Sequence, residues 1–175
     1  LYVVFVNPIS SILLPILNNN TIESRVILVN LFCRIVILFV SIVGVLMIFF
    51  GESLILLFYG EKFISASLTF KILLVGVIFK SPMAILSHYF KSINQPEKLV
   101  KISLITLPIN IIGSFLLIPK LGILGAGIIS SLTYSIFAFL LLQKYIYYSK
   151  SNLKDIFLFK KEDILFIKKN VKLFE

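Results

Sequence analysis

Lys80 is the residue of this sequence with the most chemistry to explain, because it interrupts an apolar run, Val75-Gly76-Val77-Ile78-Phe79-Lys80-Ser81-Pro82. A lysine at the centre of a membrane helix costs about 2.5–3.5 kcal/mol on insertion scales, so it turns toward protein or a wet cavity. A cation on such a cavity would receive an anionic group. The competing reading is a lysine that snorkels to an interface or pairs with a polar neighbour. Arg34 and Lys71 are further candidates for a substrate cavity, although both stand nearer the ends of their apolar runs. His88 lies close to one interface and is a candidate for proton coupling. Pro82 and Pro108 fall inside apolar runs and are candidate helix kinks.

Enzyme chemistry is hard to assemble from what remains. There is one histidine, so a multi-histidine metal site is excluded within this chain. Cys33 is the one cysteine, which excludes an intrachain disulfide or a cysteine zinc cluster. Every Asp and Glu reads as lying in a loop or tail, so no carboxylate pair is expected within a span. Gly122, Gly125 and Gly127 do not form a phosphate loop, since no strand precedes them and no Gly-Lys-Ser/Thr follows. They read instead as sites of close helix packing. The sequence therefore assigns no catalytic residue, no metal and no cofactor, and it reads as a non-enzyme.

The elements that must hold these residues follow from composition. Of 175 residues, 59% are hydrophobic and 14% charged, and the mean hydropathy is +1.06. A soluble domain usually carries about a quarter charged residues. This chain has too little polar surface to cover itself, so its apolar surface must meet lipid. A span needs roughly 20 apolar residues. About five stretches qualify: 1–17, 31–50, 68–90, 99–118 and 121–145. They are apolar around the whole helical circumference and lack the alternation of barrel strands. In lipid each backbone N–H and C=O needs an internal partner, which leaves helix for such runs. The predicted fold is all-α, a polytopic transmembrane bundle over 1–148. Asn18-Asn19-Asn20-Thr21, Asn94-Gln95-Pro96-Glu97 and Pro119-Lys120-Leu121-Gly122 read as turns. The stretch 51–67, with its short apolar run ending at Tyr59 and Gly60, reads as interfacial.

The net charge of +9 does not point to nucleic acid, because many lysines sit in gaps between apolar runs and in the tail. With five crossings, Arg25, Arg34, Lys91, Lys98, Lys101 and the tail lysines fall on one side, which is then cytoplasmic. Lys62, Lys120 and the acids Glu52 and Glu61 fall on the other. The tail 149–175 is basic, and it alternates apolar and lysine clusters as an interfacial segment would. The chain begins inside an apolar stretch at Leu1, and is expected to be the C-terminal portion of a longer protein.

Two segments carry a resemblance. One is Gly51-Glu52-Ser53-Leu54-Ile55-Leu56-Leu57-Phe58-Tyr59-Gly60-Glu61-Lys62-Phe63; the other is Ile118-Pro119-Lys120-Leu121-Gly122-Ile123-Leu124-Gly125-Ala126-Gly127. In order and spacing they resemble the C-terminal half of the polysaccharide-biosynthesis flippases, the O-antigen and capsule repeat-unit translocases. That family shares a superfamily with multidrug-and-toxin extruders and the lipid II flippase. The resemblance covers about 1–148. It implies two lobes of six helices around a central cavity, with this chain supplying the last five of twelve spans. It implies movement of an undecaprenyl-pyrophosphate-linked oligosaccharide between leaflets by alternating access, in a bacterial cytoplasmic membrane. The implied partners are that lipid-linked substrate, membrane lipid, and an N-terminal half or partner subunit. Cationic cavity residues would meet the pyrophosphate, with Lys80, Arg34 and Lys71 as the candidates here. The alternatives are a cation-coupled drug or toxin antiporter of the same fold, which would want an intramembrane carboxylate, and a scaffold that transports nothing.

Overall fold

The computed structural model describes residues 12–158. Residues 12–18 are helical (α1). Then follow α2 (Ile22–Tyr59), a 3-10 helix (Glu61–Ala66), α3 (Ser67–Ser92), α4 (Glu97–Leu121), α5 (Ile123–Ser149) and the short α6 (Leu153–Phe157). No strand occurs among the described residues. Four helical stretches are long and apolar enough to cross a membrane: Ile22–Tyr59, Glu61–Ser92, Glu97–Leu121 and Ile123–Ser149. The all-α membrane bundle expected from composition is thus the fold. Most of the predicted span 1–17, and the tail from 159 onward, lie outside the described residues.

The helices start and stop where local chemistry demands. Thr21 is extended and accepts the Ser24 N–H at 3.4 Å, capping α2. Gly60 ends α2 with φ +82, and Gly122 separates α4 from α5 with φ +58. Both conformations are strained for residues with a Cβ. Each glycine N–H also closes the preceding turn, Gly60 onto Leu56 O at 3.0 Å and Gly122 onto Ile118 O at 2.8 Å.

Three expectations are corrected. α2 has 38 residues and extends well beyond 31–50 in both directions. At 1.5 Å per residue it is about 57 Å long, nearly twice a hydrocarbon core. Gly51 does not break it, because the Gly51 backbone lies against the Phe70 ring, where an added Cβ would stand 2.8 Å from Cε1. The apolar run before Tyr59 is therefore helix, and the irregular connection shrinks to Gly60 and the 3-10 turn. Glu52 and Glu23 consequently lie on a helix and not in loops. Pro119 likewise lies inside the last turn of α4, so the turn is made by Gly122 alone.

α3 is central. It packs on α2 on one side and on α5 on the other, while α4 packs on α5 and barely meets α3. Contacts fix the register. Gly44 faces Ile78 and Gly51 faces Phe70, so α2 and α3 run antiparallel. Gly76 faces Ser131 and Gly127 faces Thr69, so α3 and α5 run parallel. Gly113 faces Ile129 and Gly125 faces the Leu117 carbonyl, so α5 returns along α4. The packing expected of Gly125 and Gly127 is present, and Gly122 instead serves the turn.

The buried core gathers at one end of the bundle. It holds Leu13 and Leu17 of α1, Val29 and Val36 of α2, Ile85, Leu86, Tyr89 and Phe90 of α3, Leu141 and Tyr145 of α5, and Ile156 of α6. Elsewhere large apolar side chains point outward, such as Phe49, Leu57 and Phe58 on α2 and Phe115 on α4. In water such a surface would be insoluble; in lipid it is the natural exterior.

Candidate functional site

Charge spacing marks depth in the bundle. On α3, Lys71 and Lys91 are twenty residues apart, about 30 Å along the axis. On α4 the uncharged stretch between Lys101 and Lys120 is about 29 Å long. These lengths match a hydrocarbon core of about 30 Å. Lys80 stands about 14 Å from Lys71 and about 17 Å from Lys91. Of the described charged side chains on α3, it lies nearest the middle.

The Lys80 ammonium sits 4.1 Å from the centroid of the Tyr134 ring on α5. Cations within about 6 Å of a ring face are drawn to its quadrupole. Both side chains are half-buried. The neighbouring turn of α5 is polar and firmly held. Asn110 Nδ2 on α4 donates to Thr133 Oγ1 at 3.2 Å, and Thr133 Oγ1 donates to Ile129 O at 2.7 Å. Ser131 Oγ donates to Ile72 O on α3 at 2.7 Å, and Ser135 Oγ donates to Ser131 O at 2.9 Å. These hydrogen bonds join α5 to both α3 and α4 close to the turn that carries Tyr134.

Pro82 explains a further polar side chain. Lacking an N–H, it leaves the Ile78 carbonyl without its helical donor. Ser81 Oγ supplies one, donating to Ile78 O at 2.8 Å. Pro82 O in turn accepts from the Cys33 thiol at 3.8 Å, so this turn is also the contact to α2. Both Pro82 and Pro108 lie inside their helices.

The other sequence-nominated cations are not brought to Lys80. Lys71 is nine residues away, on about the opposite face of α3. Its ammonium pairs with Glu52 of α2 at 3.6 Å, in a half-exposed setting. Arg34 is buried; Nε donates to Asn30 O at 3.2 Å and Nη1 donates to Leu158 O at 2.9 Å. It thereby holds the chain beyond α6 against α2. His88 lies eight residues from Lys80, about 12 Å along the helix, and its Nδ1 is buried without a hydrogen-bond partner.

A second polar cluster closes the end of the bundle where the core lies. Tyr145 Oη donates to Asn30 Oδ1 at 2.8 Å, and Asn30 Nδ2 donates to Ser151 Oγ at 3.3 Å. Tyr89 packs edge-on to Tyr145 with centroids 4.9 Å apart. Arg25 Nη1 donates to the Ser92 carbonyl, and its Nε to Asn20 O at 2.9 Å. Residues 151–158, expected to begin a surface tail, dock here, with Ser151 and Ile156 buried. The work of this cluster is to tie α1, α2, α3, α5 and α6 together.

Sequence reasoning missed Tyr134, Asn110 with Thr133, and Asn30. One signal was available for Tyr134. Tyrosines favour the two membrane interfaces, and this one falls midway along the uncharged stretch 123–143 of α5. The cluster at the bundle end gave no such signal, because Asn30 and Ser151 are 121 residues apart. No group of three or more metal-ligating side chains occurs among the described residues.

Helices of this length, with apolar exteriors and polar side chains turned to one another, define a multi-pass α-helical membrane protein. Over 100 residues the chain is 32% identical to a protein of Methanocaldococcus jannaschii named Uncharacterized membrane protein MJ1068, a match covering 57% of this chain and 20% of that one. The match thus spans about a fifth of the relative's length. No family model matches the sequence, and no solved structure matches it.

Proposed function

We propose that the chain is part of a membrane transporter that flips an undecaprenyl-pyrophosphate-linked oligosaccharide between leaflets by alternating access, for surface polysaccharide assembly. The single observation that supports it most is Lys80, half-buried at mid-depth over the Tyr134 ring. Intramembrane cations are costly and mark pathways for charged cargo. A pyrophosphate headgroup bearing sugars needs such a pathway, because it cannot shed its hydration into about 30 Å of hydrocarbon. Pro82 and Pro108, well inside spanning helices, fit a bundle whose helices bend. In this reading the protein lies in a bacterial cytoplasmic membrane with the lysine-rich end facing the cytoplasm. The remainder of the cavity comes from further helices, in the same polypeptide or in a partner.

The test is complementation in a host deleted for the native gene, read as surface polysaccharide. Lys80→Ala lowers export by at least about tenfold and Lys80→Arg retains most of it, since a cation worth about 1.4 kcal/mol to transport changes a rate by ten. Wild-type export from Lys80→Ala, at equal membrane abundance, would remove the basis of the proposal.

A further inference from the structure

We propose that Tyr134 is the positioning residue of the mid-depth site. Its ring holds the Lys80 ammonium while the site is empty, and the ammonium leaves the ring for the phosphate oxygens of an anionic lipid headgroup when the site is filled. This rests on the reading of Lys80 as the anion-binding position.

The geometry supplies the first half. At 4.1 Å from the centroid, the ammonium lies well within cation–π range. A lysine at this depth otherwise stretches its four-carbon stem toward an interface. A ring face on a neighbouring helix keeps it at mid-depth. Tyr134 can act as a fixed support because the turn of α5 just before it is pinned to both neighbouring helices. Ser131 Oγ is bonded to Ile72 O on α3, and Thr133 Oγ1 accepts from Asn110 on α4. Gly76 lets the two backbones close, since a Cβ there would meet Ser131 Cα at 2.7 Å. Support of this kind lets a side chain hold a partner within a narrow range of positions.

The second half follows from charge. A ring attracts a cation without carrying net charge, so it neither neutralises Lys80 nor repels an incoming anion. A carboxylate in its place would do both. Charge-assisted hydrogen bonds to phosphate are stronger than a ring contact, so the headgroup wins the ammonium. Half-burial of both side chains leaves room for that exchange.

The chain contains no tryptophan, so Tyr134→Trp places a single reporter indole under Lys80. The full chain carrying this change is placed in phosphatidylcholine nanodiscs and titrated with geranylgeranyl pyrophosphate, with geranylgeraniol as the uncharged control. The expected result is a saturable change in indole emission with the pyrophosphate lipid alone, lost when Lys80→Gln is added. In binding measurements with the same lipid, Tyr134→Phe keeps the wild-type affinity and Tyr134→Leu weakens it by about tenfold. If Tyr134→Leu binds as tightly as wild type while Lys80→Gln does not bind, the role of Tyr134 is overturned and the anion site stands. If Lys80→Gln binds the pyrophosphate lipid normally, the anion site itself fails, and this inference with it. An equal emission response to geranylgeraniol would likewise overturn it, since the indole would then be sensing the hydrocarbon chain.

Discussion

Lys80 and Gly76 lie one helical turn apart and show opposite relations between stability and function. Burying an ammonium at mid-depth costs about 2.5–3.5 kcal/mol on insertion scales, which the Tyr134 ring offsets in part. Lys80→Met should therefore raise the melting temperature in detergent, while under the proposed function it lowers export by at least about tenfold. A fall in melting temperature would show that the ammonium is a net structural asset. Gly76 is the reverse case. Its Cα faces the Ser131 backbone, and a Cβ would approach Ser131 Cα to 2.7 Å. Neither backbone can yield without parting α3 from α5, so Gly76→Val should destabilise by about 2 kcal/mol or more. The same substitution at Gly60 meets open space but imposes a left-handed φ of +82 on a β-branched residue. It should shorten α2 without disturbing the α3–α5 contact.

At the scale of the element, α3 is a proline-containing helix with its own repair. Ser81 Oγ satisfies the Ile78 carbonyl that Pro82 leaves open. Ser81→Ala should cost about 1 kcal/mol, because a half-buried acceptor in an apolar surround loses its donor. In Pro82→Ala the backbone N–H returns, and adding Ser81→Ala to it should then cost a few tenths of a kcal/mol. Equal costs in both backgrounds would mean the hydroxyl is not repairing the proline gap. The α2–α6 contact makes a separate claim. Arg34 holds the Leu158 carbonyl, and Asn30 holds Ser151. Arg34→Met should leave the helices in place yet speed amide exchange across residues 153–158. Unchanged exchange there would show that Ile156 burial alone secures the segment.

Across the described residues the four long helices form a row, α2–α3–α5–α4, with a dense core at one end and apolar faces outside. Its two ends differ in charge. Lys91, Lys98, Lys101, Lys144, Lys150 and Lys154 gather at one, and Lys62, Lys71 and Lys120 with Glu52 and Glu61 at the other. Cysteines placed at 62 or 120 should react with impermeant maleimide in intact cells, and those at 91 or 98 only after the membrane is permeabilised. Cys33 is fully buried and leaves the background silent. Labelling of both pairs from one face would contradict a bundle that crosses the membrane between them.

Composition and run length were enough to determine that this is an all-α membrane protein. They also placed three of its spanning helices to within a few residues, because a hydrocarbon solvent tolerates little else. The turn at Gly122 and the exceptional position of Lys80 were equally legible, since each depends on one residue and its near neighbours. The length of α2 was not, because Gly51 breaks or continues a helix according to what packs on it, and Phe70 lies in another element. Nor was the separation of the cations. Lys71 and Arg34 look alike along the chain, each near the end of an apolar run, and the three cations diverge because each helix face meets a different neighbour: Glu52, a backbone carbonyl, or an aromatic ring. Only the tertiary structure decided which charge is paired, which is a clamp and which stands over a ring, for interhelical contacts join residues that the sequence keeps far apart.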